Sequence, residues 1–184
     1  DILKRQSEEY ESLNKKLRRN HSNKEILLDS LGISFSYMKS YVWIEHIPRE
    51  VQDAYEAAYP NLARQQSLSD IINSRSETEL SGFINGIKGK LFEQRYIEYL
   101  NDGNLPDGYQ AVLAESPTNP GWDIAILDEN GQIDQVLQAK ATSSLDYVQE
   151  ALSRYPEVQV VTTEEVYSHL TMHGIAENVI DSGI

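Results

Sequence analysis

An α/β fold with a central mixed sheet of four strands, preceded by an α-helical N-terminal region, is what this chain predicts. Three observations lead there. Apolar residues recur at three- and four-residue spacing from Leu80 to Leu100, as on one side of a helix. Two apolar runs, 122–127 and 133–139, flank Asp128-Glu129-Asn130-Gly131, where Asn-Gly suits the positive φ angles of a tight hairpin. A β-branched run at 158–161 then stands between two helical patterns. The resulting order, helix, three strands, helix, strand, helix, occupies residues 82–173. The first three strands are expected as an antiparallel meander, with the fourth joined through a helix at 144–154.

The chain before this core reads as helical. Residues 1–20 are highly charged, with Leu3, Tyr10 and Leu17 seven apart and Leu13 between them. That pattern fits a solvated helix or the tail of a coiled coil, which takes three or four sustained heptads. The cluster Lys15-Lys16-Leu17-Arg18-Arg19 suits a helix C-terminus, where cations complement the macrodipole, or a phosphate. A short helix at 22–31 has Gly32 as its stop. Residues 33–47 hold Phe35, Tyr37, Tyr41, Val42, Trp43 and Ile44, a buried helix or a helix–helix contact. Pro48 opens the next helix, with Val51, Tyr55, Ala58 and Tyr59 as its apolar stripe and Pro60 as its end.

One more short helix is expected at 67–74, and Ser76-Glu77-Thr78-Glu79 precedes the longest one. Within that helix Gly82, Gly86 and Gly89 each cost about 1 kcal/mol relative to alanine. Their expected use is close approach of another backbone or partner. The organisation is therefore a helical arm or layer at 1–75 and an α/β domain at 76–184. The helical opening and the ending Asp181-Ser182-Gly183-Ile184 suggest a piece of a longer protein.

Composition removes several classes of chemistry. The chain has no cysteine, so it has neither a disulfide framework nor a thiolate metal site, which fits a cytoplasmic protein. No apolar run approaches the roughly 20 residues of a membrane helix. There is no Walker-type glycine loop and no Gly-x-Ser-x-Gly elbow. The formal charge is −13; residues 81–184 carry 5 Lys/Arg against 16 Asp/Glu, a net −11. Such a balance argues against a broad duplex-binding surface, because phosphate neutralisation supplies most non-specific affinity.

The hairpin is where the chemistry gathers. Asp123 is the one carboxylate in its apolar run, and Gln138 and Lys140, two apart, share a strand face. Pairing brings Asp123 to that end only in the right register, which the turn allows without fixing.

An Asp entering one strand and Gln138-Ala139-Lys140 leaving the next resembles the PD-(D/E)xK nuclease superfamily, in the Gln-x-Lys form of Mrr-type restriction endonucleases. Upstream, Gly89-Lys90-Leu91-Phe92-Glu93 is similar to the G-x-x-x-E signature on the helix before the first core strand. The resemblance spans residues 82–167. It implies a restriction-endonuclease-like αβββαβ core and a Mg²⁺- or Mn²⁺-dependent endonuclease hydrolysing DNA, in bacterial or phage defence or mobile-element biology. It implies Asp123, the Gln138 amide and the Ala139 carbonyl as metal contacts, Lys140 as the group that orients water or stabilises developing charge, and Glu93 as a carboxylate reaching in from the helix. Lys88, Lys90 and Arg95 are the expected phosphate contacts.

An amide in place of a carboxylate weakens metal affinity, which leaves a second reading open, a nuclease-like module that no longer cuts and serves in interaction or assembly. Glu115 is a further candidate carboxylate. His169 and His173, four apart, have a spacing that suits Zn²⁺ without a third ligand nearby. A homodimer through Tyr37, Tyr41, Val42 and Trp43 of the arm would set two such sites at a fixed separation.

Overall fold

The computed structural model describes residues 47–114, 119–175 and 177–183. Residues 1–46, with Tyr37, Tyr41, Val42 and Trp43, and residues 115–118, with Glu115, lie outside the described residues.

Helix α1 (Arg49–Ala58) starts after Pro48, and α2 (Pro60–Ala63) takes Pro60 as its first residue. Pro60 therefore begins a helical turn as well as ending α1, because its missing N–H has no partner to lose there. Helix α3 (Leu68–Ser74) is capped by Ser67, whose Oγ accepts from Asp70 N–H at 3.1 Å. Helix α4 (Glu77–Asn101) has a capping box: the Glu79 carboxylate accepts from Ser76 N–H (3.0 Å) and Ser76 Oγ (2.6 Å). Those bonds hold the Glu79 carboxyl below its usual range, the hydroxyl bond first.

Helix α4 joins two cores. Its first half sets Leu80, Phe83, Ile84, Ile87 and Leu91 against Val51, Ala54 and Tyr55 of α1 and Leu68, Ile71 and Ile72 of α3. The described part of the N-terminal helical region thus lies as a layer on α4. Gly86 is required there. A Cβ on it would stand 2.1 Å from Tyr59 Oη, which donates to the Phe83 carbonyl at 3.1 Å. Gly82 and Gly89 have no such neighbour within 4 Å, and at Gly86 the neighbour is the Tyr59 side chain rather than the expected backbone.

The second half of α4 sets Phe92, Tyr96 and Leu100 against the sheet. The strands are β1 (Gln110–Leu113), β2 (Ile124–Leu127), β3 (Ile133–Lys140), β4 (Gln159–Thr162) and β5 (Val179–Asp181), in that spatial order. β1, β2 and β3 form the antiparallel meander; β4 and β5 add in parallel. The expected sheet of four is a sheet of five. β5 has only three residues, too short to show alternation in the sequence. Asn178, at φ 64°, turns the chain into it, and its carbonyl accepts from Val160 N–H at 2.8 Å.

Helices α5 (Leu145–Arg154) and α6 (Glu164–Met172) make the β3–β4 and β4–β5 connections. They cover the face opposite α4. Val161 packs in the α4 core, whereas its neighbour Val160 packs with Val148 and Ala151 of α5 and Val166 and Leu170 of α6. Adjacent strand residues point to opposite faces, so the sheet is covered on both sides. Asn101, the last residue of α4, donates to the Ala111 carbonyl (2.9 Å) and accepts from Ala111 N–H (2.8 Å) on the outer edge of β1. Among the described residues, no helix is long and apolar enough to cross a membrane.

The β2–β3 turn is organised by Asp128, whose Oδ1 accepts from Asn130 and Gln132 N–H at 2.8 Å each, with Gly131 at φ 74°. Just past it the register slips. Leu127 pairs with Ile133, but Ile126 pairs with Gln135, leaving Asp134 as a bulge.

Candidate functional site

The bulge decides which side chains of β3 meet which helix. Beyond it Ile124 pairs with Leu137, so Leu137 and Ala139 share the face of Ile124 and Ile126, against α4. Gln138 and Lys140 then point toward α5. Were the same sequence paired regularly, with Asp134 opposite Ile126, every side chain of this segment would take the other face.

Asp123 sits just before β2, where the ladder ends. Its backbone N–H donates to the Leu137 carbonyl at 2.9 Å, and its Oδ2 accepts from Ala139 N–H, also at 2.9 Å. The carboxylate stands where a ladder carbonyl would otherwise be, within the plane of the sheet end. It grips the residue between Gln138 and Lys140. N–H and C=O of one strand residue project to the same side, so the Ala139 carbonyl opens toward this end as well.

Gln138 is 8 % exposed, and its Oε1 is a buried polar atom without a hydrogen-bond partner. Such an orphan is uncommon, and its free lone pairs could accept from a water or meet an ion. Lys140 extends past it, with its Nζ 5.0 Å from the centroid of the Tyr147 ring on α5. Its carbonyl accepts from Thr162 Oγ1 at 3.0 Å, which ties the end of β3 to fully buried Thr162 of β4.

Glu93 enters from the α4 side. It is 8 % exposed and bound to Lys90, one turn back. Burial pushes its carboxyl above the ordinary value of 4.5, against the pull of Lys90; Asp123 adds to the rise and Lys140 opposes it. The fields of Asp123 and Lys140 at Glu93 put the three in one electrostatic neighbourhood. The sheet end thus gathers Glu93 from one face, Lys140 from the other, and Asp123 between them.

The remaining expected residues fall elsewhere. Lys90 is turned inward to Glu93, its side chain 13 % exposed. Arg95 is two residues from Glu93, about 200° around a helix, and pairs with Glu50 of α1. It lines a groove of about 450 Å³ with Glu50, Asp53, Glu98, Val112 and Leu113, and Leu113 pairs with Ile124, the residue after Asp123. Lys88 is partly buried on α4 and engaged in an interaction of its own. His173 Nδ1 lies 2.8 Å from the His169 carbonyl, so one ring nitrogen of that pair faces the helix backbone.

Among the described residues, no group of three or more His, Cys, Asp or Glu side chains converges to hold a metal. The donor set at the sheet end is instead two carboxylates, an amide and a carbonyl. Tyr147 and Thr162 are additions from the structure. The helix at 144–154 was expected, and its Ser144 cap places Tyr147 in the first turn; the reach of Tyr147 to Lys140 was not expected. No family model, curated protein or solved structure matches this chain.

Proposed function

We propose that this protein is a metal-dependent nuclease of the PD-(D/E)xK kind, with a restriction-endonuclease-like core, hydrolysing phosphodiester bonds in DNA in defence or mobile-element biology. The observation that carries the reading is the orphaned, buried Oε1 of Gln138 on the segment gripped by the Asp123 carboxylate. Oxygen donors of this kind suit Mg²⁺ or Mn²⁺, which take hard ligands and, for Mg²⁺, keep several waters. Asp123, Gln138 Oε1 and the Ala139 carbonyl would hold the ion. When bound, it polarises the phosphate and lowers the pKa of water.

The chain's own contributions follow from the contacts. The Ala139 N–H fixes the Asp123 carboxylate, so that group need not reorganise on binding. Lys140 supplies a cation for negative charge developing on the phosphate. Glu93, protonated more readily than an ordinary carboxyl, stands where a proton can be held beside that charge.

Calorimetric titration tests the reading. Mg²⁺ or Mn²⁺ binding at millimolar metal, lost in Asp123→Ala and weakened in Gln138→Ala, is expected, together with DNA cleavage that Lys140→Ala abolishes. The uncharged Gln138 and the net −11 of residues 81–184 favour the second reading, an interaction module that does not cut. Absence of metal binding in the wild type selects it.

A further inference from the structure

Three large apolar side chains stand exposed among the described residues, Ile133, Tyr147 and Met172, and Tyr147 is the one in contact with the candidate site. It is 51 % exposed. Its N–H donates to Ser144 Oγ at 3.4 Å, which places it in the first turn of α5. The next residue, Val148, is fully buried, so the tyrosine is directed outward by the same helix that anchors the α5–α6 core. A ring has two faces. The Lys140 ammonium lies over one, 5.0 Å from the centroid, and half the residue remains open.

We infer that Tyr147 and Lys140 form a seat for a single-stranded nucleotide, the ring stacking on its base and the ammonium meeting its phosphate; this rests on the nuclease reading above. Charge is the reason for the strand preference. Of the five cations in residues 81–184, Lys90 and Arg95 are spent on carboxylates, Lys88 is engaged, and Arg154 lies at the far end of α5. Among the described residues of 81–184, Lys140 alone is left to face the sheet end. A duplex held through phosphates needs several cations. Stacking needs none and tolerates any base, because every base has a π-face. Bases inside a duplex hide those faces, so the segment at Tyr147 is single-stranded or frayed.

Fluorescence anisotropy of the full chain in EDTA, which prevents cutting, tests the seat with labelled oligodeoxyuridylate, oligouridylate and a DNA duplex of equal length. Wild type is expected to bind the single strands more tightly than the duplex. Tyr147→Leu is expected to weaken single-strand binding by about 5- to 150-fold for one lost stack, while Tyr147→Phe keeps it and duplex binding is unchanged in both. The salt slope should correspond to one or two phosphates, about −0.7 each for a single strand. Equal binding of the two single strands identifies the base as what is read; preference for one names the sugar. Single-strand affinity unchanged in Tyr147→Leu, tighter duplex binding, or no single-strand binding by wild type overturns the inference. The metal titration with Asp123→Ala is independent: metal binding with no seat leaves the nuclease without this inference, and a seat with no metal binding removes the nuclease.

Discussion

Helix α4 is one element with two kinds of neighbour. Its first half is packed by helices α1 and α3 around apolar and aromatic side chains, with Tyr59 and Phe83 stacked at 4.7 Å and Tyr55 edge-on to Phe83 at 5.7 Å. Its second half is packed by the sheet and carries a buried charge pair, Lys90 with Glu93, at the seam between the two cores. A buried ion pair contributes little to stability, because desolvation offsets the attraction. Packing alone gives no reason for Glu93. Perturbed carboxylates that packing does not need are what functional sites contain. Under the proposed function the first half is scaffold, and the second carries a residue of the site.

The largest expected effect tests whether the second half depends on the register that the bulge sets. Inserting one alanine between Gln135 and Val136 would keep the Ile126–Gln135 pair and turn Leu137 and Ala139 away from α4. A loss above about 4–5 kcal/mol is expected, read as loss of a cooperative urea transition. Phe92→Ala, at a fully buried position on the sheet side, should cost about 3–5 kcal/mol by denaturant midpoint. Under the proposed function it should also weaken metal binding, because Phe92 shares a core with Ile124, Leu137 and Ala139 beside the site. Ile87→Ala, in the first half, should cost about 2–5 kcal/mol and leave metal binding intact. Equal effects of the two on metal would erase the distinction between the halves.

Gly86→Ala comes next, at about 1–3 kcal/mol, because the new methyl displaces the Tyr59 ring. The smallest effect concerns pH. Glu93 has a raised pKa in the folded state, so its contribution is full below 4.5 and is lost as pH rises through the raised value. Glu93→Gln cannot titrate. Its stability should therefore fall less between pH 4.5 and neutrality than that of the wild type, measured by urea midpoints at each pH.

What was legible in the sequence was periodic or local. The α4 stripe, the hairpin turn and the Ser76–Glu79 start of α4 each depend on neighbours within a few residues. The α/β class and the meander followed from them. The bulge at Asp134 did not, since nothing in Ile133-Asp134-Gln135 distinguishes a regular strand from one with an extra residue. Yet that residue sets which face Gln138 and Lys140 take. The inward turn of Lys90 could be read from its three-residue spacing to Glu93. The Arg95–Glu50 pair joins residues far apart in the chain and could not. β5 was too short to announce itself.

Asn101 has a consequence of a different kind. Its amide occupies both main-chain groups that Ala111 turns outward, so a side chain stands where the backbone of a neighbouring strand would lie. Bare strand edges seed filaments by recruiting identical chains. At Ala111 that recruitment has no free donor or acceptor to begin from. In a crowded, concentrated solution the edge is closed to pairing at Ala111 by one amide at the end of a helix.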